Sequence, residues 1–135
     1  MTDTSISKWE KAIIRLVELT QDEKLEWKIV NPKEYVPKED TRGAMLLVKH
    51  KTKHLLLYRT AYVRKDTSNI MAVFAGTAKE IKEYRPDLCI YDVPTKMIVY
   101  TFPYSELTED LYQAATFKAA EVEDFLKDLL EDDAT

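Results

Sequence analysis

Glycine is nearly missing from this chain: Gly43 and Gly76 are the only two in 135 residues. Phosphate-cradling loops of the nucleoside-triphosphate or dinucleotide type need several, because a side chain would keep the backbone away from the phosphates. Both kinds of nucleotide site are thereby excluded. Cysteine is scarcer still. Cys89 stands alone, so no internal disulfide forms, which fits a protein of the reducing cytoplasm better than a secreted, cross-linked one. Its neighbours Leu88 and Ile90 mark it as a buried thiol packed like a small hydrophobe, with no adjacent histidine to make it a nucleophile.

Histidine is limited to His50 and His54. The residues between them offer lysine where zinc would need its third and fourth ligands, so an exposed charged turn is the simpler reading. No apolar run approaches a membrane span, and the opening Met1-Thr2-Asp3-Thr4, followed by Lys8, Glu10 and Lys11, lacks signal-peptide character. These absences leave no catalytic residue, cofactor or metal to name. The one catalytic class left open is an enzyme built from Asp and Tyr groups gathered from several strands.

What is present describes an ordinary globular protein, 45% apolar and 33% charged, of a length that suits one domain over residues 1–135. The net charge of −4 hides an uneven distribution. Residues 49–65 hold Lys49, Lys51, Lys53, Arg59, Arg64 and Lys65 with both histidines and no acid. From Glu121 onward the acids Glu121, Glu123, Asp124, Asp128, Glu131, Asp132 and Asp133 face one base, Lys127. With Tyr58 and Tyr62 interleaved, the basic set Lys49, Lys51, Lys53, Arg59 and Arg64 has the mixture that grips phosphates and stacks bases. Against a nucleic-acid role stand a sequence pI near 5.3 and the strand geometry, which sends alternate residues to opposite faces. Charges along a hairpin edge also block unwanted strand pairing.

The longest regular stretch is the last, residues 107–130. Leu111, Ala115, Ala119, Val122, Leu126 and Leu129 recur at helical spacing, with Phe125 and Leu130 widening the stripe. Thr108 fits as N-cap, with Glu109 and Asp110 favourable to the helix dipole. With no Gly or Pro before the acidic tail, a continuous helix of about 23 residues and roughly 35 Å is predicted. Leu126→Asp is then expected to unfold the protein. At the other end Ser7-Lys8-Trp9-Glu10 fits a capping box, and Trp9, Ile13, Leu16, Val17 and Thr20 share a face, so a first helix is predicted from Ser7 to about Thr20–Asp22.

Between the helices, Leu25, Trp27 and Ile29 alternate with Glu26 and Lys28 as in a half-buried strand, broken at Asn31-Pro32. Residues 44–49 and 55–63 read as a hairpin with a charged tip. Their adjacent apolar residues imply strands covered on both faces. Residues 70–75 favour β through Ile70, Val73 and Phe74. Thr77-Ala78-Lys79-Glu80 fits a capping box, which predicts a short helix ended at Arg85-Pro86. Residues 88–92 and 97–102 make a second hairpin about Val93-Pro94-Thr95-Lys96. The expected fold is α+β, an about five-stranded, mostly antiparallel sheet with the N-terminal and long C-terminal helices packed on one face.

The opening motif, a helix running into Leu19-Thr20 and then Leu25-Glu26-Trp27, is joined by a closing one: Phe102-Pro103, Leu107, Leu111-Tyr112 and Val122-Glu123-Asp124-Phe125-Leu126. Together they resemble a loose group of small uncharacterised prokaryotic α+β proteins. The likeness covers both ends and little of the middle. Members often carry glycine where this chain has Gln21-Asp22-Glu23. The resemblance implies helix, sheet, helix, and brings no activity or catalytic residue with it.

Two terminal helices on one face leave the other to be hidden. Tyr58, Tyr62, Tyr91, Tyr100 and Tyr104 fall on strands or at their ends, and tyrosine suits interfaces through its area and hydrogen-bonding tip. The same rings serve equally well to finish a core. The functional expectation is a cytoplasmic protein that binds another protein or itself, as a homodimer, accessory subunit or antitoxin-like partner. Weak nucleic-acid binding is the alternative.

Overall fold

The computed structural model describes residues 7–132; the opening tetrapeptide and Asp133 of the acidic tail lie outside them. Helix α1, Lys8–Gln21, begins at Ser7, whose hydroxyl oxygen accepts the Glu10 N–H at 3.2 Å. It buries Ile13, Leu16 and Thr20. Trp9 stays half-buried, stacked on Tyr100 at 5.4 Å and edge-on to Phe102 at 5.3 Å. Trp27 is buried as the alternation predicts, and its indole N–H donates to the Thr20 hydroxyl at 2.9 Å. Thr20 in turn donates to the Leu16 carbonyl at 2.7 Å, so the polar groups carried inward are satisfied.

Five strands follow as a meander. They are β1, Lys28–Val30; β2, Thr41–His50; β3, Lys53–Lys65; β4, Glu80–Asp92; and β5, Met97–Thr101, each antiparallel to its neighbours in chain order. Ile29, expected inward, is exposed on edge strand β1. One face of the sheet carries Leu46, Val48, Leu55, Leu57 and Leu88 against Ile13 and Leu16 of α1 and Leu111, Tyr112 and Ala115 of a C-terminal helix, α4, Glu106–Ala119. The two terminal helices thus share a face, as expected. The opposite face carries Met45, Leu56, Tyr58, Cys89 and Tyr91.

That second face is not left for a partner. Asn31 caps a one-turn helix, α2, Pro32–Tyr35, by accepting the Lys33 N–H at 3.0 Å, and Tyr35 and Val36 pack onto the cluster. The loop that the sequence leaves irregular therefore roofs the face that the sequence leaves open.

Three further expectations are corrected. Residues 70–75 are a helix, α3, Ile70–Ala75, and not a strand. Asn69 accepts the Met71 and Ala72 N–H groups at 3.1 and 3.3 Å, and Gly76 closes the helix at φ +71°; caps at both ends outweigh the β preference of the residues between. The helix predicted from residue 77 to Pro86 is instead the first half of β4, paired with β3 from Lys65↔Glu80 to His54↔Tyr91. Pro86 is tolerated because β5 pairs only with residues 89–92, leaving Pro86 on a free edge.

The long C-terminal rod is two helices. A second one, α5, Val122–Asp132, follows α4 after a break at Ala120 and Glu121, with Glu121 at φ +53°. The start also differs: Ser105 is the N-cap, and Thr108 sits inside α4, its hydroxyl accepting the Ser105 N–H at 3.4 Å.

Candidate interaction surfaces

Strands β3 and β4 outrun the sheet. β2 leaves β3 at Thr41↔Thr60, where the Ala61 N–H donates to the Asp40 carbonyl, but β3 and β4 stay paired out to Lys65↔Glu80. Residues 62–65 and 80–83 thus form a two-stranded arm with α3 at its tip. Polar contacts stiffen its root. Asp40 is engaged by the Lys82 ammonium and lies 3.1 Å from the Tyr84 hydroxyl, with the Arg42 guanidinium 4.7 Å from the Tyr84 ring centre. Hydrogen bonding from Lys82, more than from Tyr84, holds the Asp40 carboxyl below the usual range. Further out, Arg64 and Glu83 pair across the strands at 2.9 Å.

The tip is apolar and wet. Val63, Ile70, Met71, Val73 and Phe74 are all exposed, Met71 at 73% and Phe74 at 81%. From Thr67 to Ala78 the chain carries no charge. Monomeric proteins rarely leave contiguous apolar groups in water without a use for them. Helix α5 is the second such surface. Val122, Phe125, Leu126, Leu129 and Leu130 fall at i, i+3, i+4, i+7 and i+8, one stripe of the helix. None is buried, with Leu126 at 45%, Phe125 at 63% and Leu130 at 67% exposure. The expectation that Leu126 lies in the core is therefore overturned. The turn at Glu121 carries the stripe off the line of α4 before it reaches the sheet.

The five tyrosines do not share a face. Tyr58 and Tyr91 are buried beneath Tyr35 and Val36. Tyr100 lies against Trp9 on the helix side. Tyr62 and Tyr104 flank the Arg85 guanidinium, at 3.6 and 4.4 Å from its central carbon to their ring centres. The basic set is likewise divided. Lys49, Lys51 and Lys53 are exposed at the β2–β3 turn, beside a cleft of about 690 Å³ also lined by His54, Tyr91 and Val99. Arg59, at the arm root, is held two-pronged by Glu109 of α4, with one contact at 2.9 Å, and stacks over Tyr112 at 4.5 Å. Arg64 belongs to the arm.

One polar cluster is buried enough for its protonation to be displaced. The Tyr62 hydroxyl lies 2.8 and 2.9 Å from the two oxygens of Asp87. Burial raises the Asp87 carboxyl above its ordinary value, against the opposing pull of Tyr62 and Arg85. Burial also raises the Tyr58 and Tyr62 hydroxyls and pushes the Cys89 thiol up to about 11. A thiol so displaced is a poor nucleophile. The 690 Å³ cleft, and one of about 400 Å³ where Lys118 meets Glu23, are lined by none of Asp87, Tyr62 or Cys89. The cluster thus faces no space of substrate size there.

Among the described residues no three of His, Cys, Asp and Glu come together to hold a metal ion, and no helix is long and apolar enough to cross a membrane. The tyrosines and the basic set of Lys49, Lys51, Lys53, Arg59 and Arg64 are the candidates that the sequence singles out, whereas it gives neither the arm tip nor α5 as a surface. The uncharged run from Thr67 to Ala78, bounded by Asn69 and Gly76, was the available signal for the first. Comparison with protein-family models, with curated proteins and with solved structures finds no significant match to this chain.

Proposed function

We propose that this protein works by binding another protein chain, in a self-association, accessory-subunit or antitoxin-like role, and not by catalysis. The observation that carries this reading is α3, six apolar residues held clear of the body on a braced arm. Leaving such side chains in water forgoes about 25 cal/mol for each Å² that burial would remove. A partner recovers that energy on docking. The unpartnered stripe of α5 supports the same reading, and the buried lone thiol fits a cytoplasmic setting; a prokaryotic one is what the resemblance of the two ends implies.

The test is a photo-crosslinking phenylalanine analogue placed at Phe74 or at Leu129 in the producing cell. A discrete adduct of defined mass from either position is expected; no adduct from both would refute the reading. Nucleic-acid binding is the lesser alternative. Arg59 and Arg64, engaged by Glu109 and Glu83, are not free to serve it, which leaves Lys49, Lys51 and Lys53 at one turn. It requires retention on nucleic acid at low salt that Lys51→Glu with Lys53→Glu removes.

A further inference from the structure

The two exposed apolar surfaces differ in charge and stand at opposite ends of the molecule. Helix α4 sets the distance. Near its start Glu109 grips Arg59 at the arm root, and near its end Lys118 meets Glu23 at 3.2 Å, in a cleft also lined by Trp27, Lys28 and Glu121. Helix α5 departs from that second end. From Arg59 the arm runs the other way, through Lys65 to α3. The ten-residue rise from Glu109 to Ala119 at ~1.5 Å per residue and the six strand residues from Arg59 to Lys65 at ~3.3 Å place α3 roughly 35 Å from the start of α5. The 11 residues of α5 span only ~16 Å. Within one chain the two surfaces therefore do not meet.

Between two copies laid head to tail about a two-fold axis they meet twice. The charges suit each other. Residues 121–132 carry six acids against Lys127, whereas α3 is uncharged and the residues at its base, Lys65, Asp66, Lys79 and Glu80, balance one another, so α3 sets no like charge against an acidic helix. Two α5 helices would repel one another, and an acidic helix is repelled by an anionic membrane surface. The area also suffices. At about 150–250 Å² for a phenylalanine and roughly 60–120 Å² for an aliphatic side chain, the exposed fractions of Val63, Ile70, Met71, Val73, Phe74, Phe125, Leu126, Leu129 and Leu130 put on the order of 450–850 Å² of apolar surface per copy in water. Only a little over half of a typical interface is apolar. A stable interface needs about 800 Å² per partner.

We infer that the chain forms a reciprocal dimer in which α5 of each copy closes over α3 and the arm of the other. This rests on the protein-binding reading above and names its partner as a second copy. The test is sedimentation velocity over a roughly hundredfold concentration range on the wild type, on Phe74→Asp and on Leu130→Asp, with circular dichroism to confirm that both variants are folded. The wild type is expected to sediment as a dimer, and each variant to dissociate with at least about a tenfold higher dissociation constant.

The decisive sample is the equimolar mixture of the two variants. A mixed dimer pairs an intact α3 with an intact α5 at one of its two contacts, so the mixture should dimerise better than either variant alone. No recovery on mixing would mean like-to-like contacts and overturn the reciprocal arrangement. A monomeric wild type, or a variant that dimerises undiminished, would overturn it too. If the wild type is monomeric while position 74 crosslinks to a different protein, the dimer is wrong and the protein-binding reading stands. No adduct from either position removes both.

Discussion

Leu55, Leu56 and Leu57 in the sheet and Ile70, Met71 and Phe74 on the arm are equally apolar triplets, yet the first is buried and the second is in water. The difference lies in neighbours. At Leu56 the chain has β2 on one side, β4 on the other and a packed layer on each face. Past Thr60 strand β2 is gone, and beyond Tyr62 the same two-stranded ribbon continues with no packed layer above or below. Apolarity states what a segment would gain by burial, while topology decides whether anything is there to bury it.

The sharpest way to test that comparison is to remove one side chain from each region. Leu57→Ala, which opens a cavity beneath α1 and α4, should destabilise the protein by about 2–5 kcal/mol in chemical denaturation. Gly43→Ala comes next, at about 1–3 kcal/mol. Gly43 sits at φ +70°, where the β2–β3 register shifts, and an added Cβ would lie 2.9 Å from the Tyr112 hydroxyl, which donates to the Ala44 carbonyl at 2.6 Å. Leu126→Asp should be smallest, within about 0.5 kcal/mol when measured on the dissociated chain. Were it to cost as much as Leu57→Ala, α5 would belong to the core and the contrast would fail.

The sequence made the body legible and the periphery illegible, for identifiable reasons. Ser7 and Glu10, the alternation of Leu25 and Trp27, and the adjacent leucines of β3 are signals whose meaning is settled by residues a few positions away. The α4–α5 break has no such signal. Ala120 and Glu121 are ordinary helix formers, and the positive φ at Glu121 is a non-glycine exception. The unbroken stripe across residues 111–130 therefore read as one core-facing rod. The early half of β4 was lost to a capping-box pattern at Thr77, because pairing with β3, a long-range contact, overrode a local preference. The tyrosines misled because α2 covers two of them, and a one-turn helix in a polar loop leaves no periodicity to read.

The meander has a consequence for the order in which the protein is made. Each strand pairs with the one synthesised just before it, so the sheet assembles progressively from consecutive strands, a lower contact order than a sheet with crossovers and one that favours quicker folding. Helix α1 breaks this progression. Ile13 and Leu16 pack in one cluster with Leu111 and Ala115 of α4, so α1 waits for a segment synthesised well after it, beyond the whole sheet, before its seat is complete. A chain shortened before Leu111 would keep its hairpins and still hold a loose amphipathic N-terminus, a substrate for chaperones or proteases.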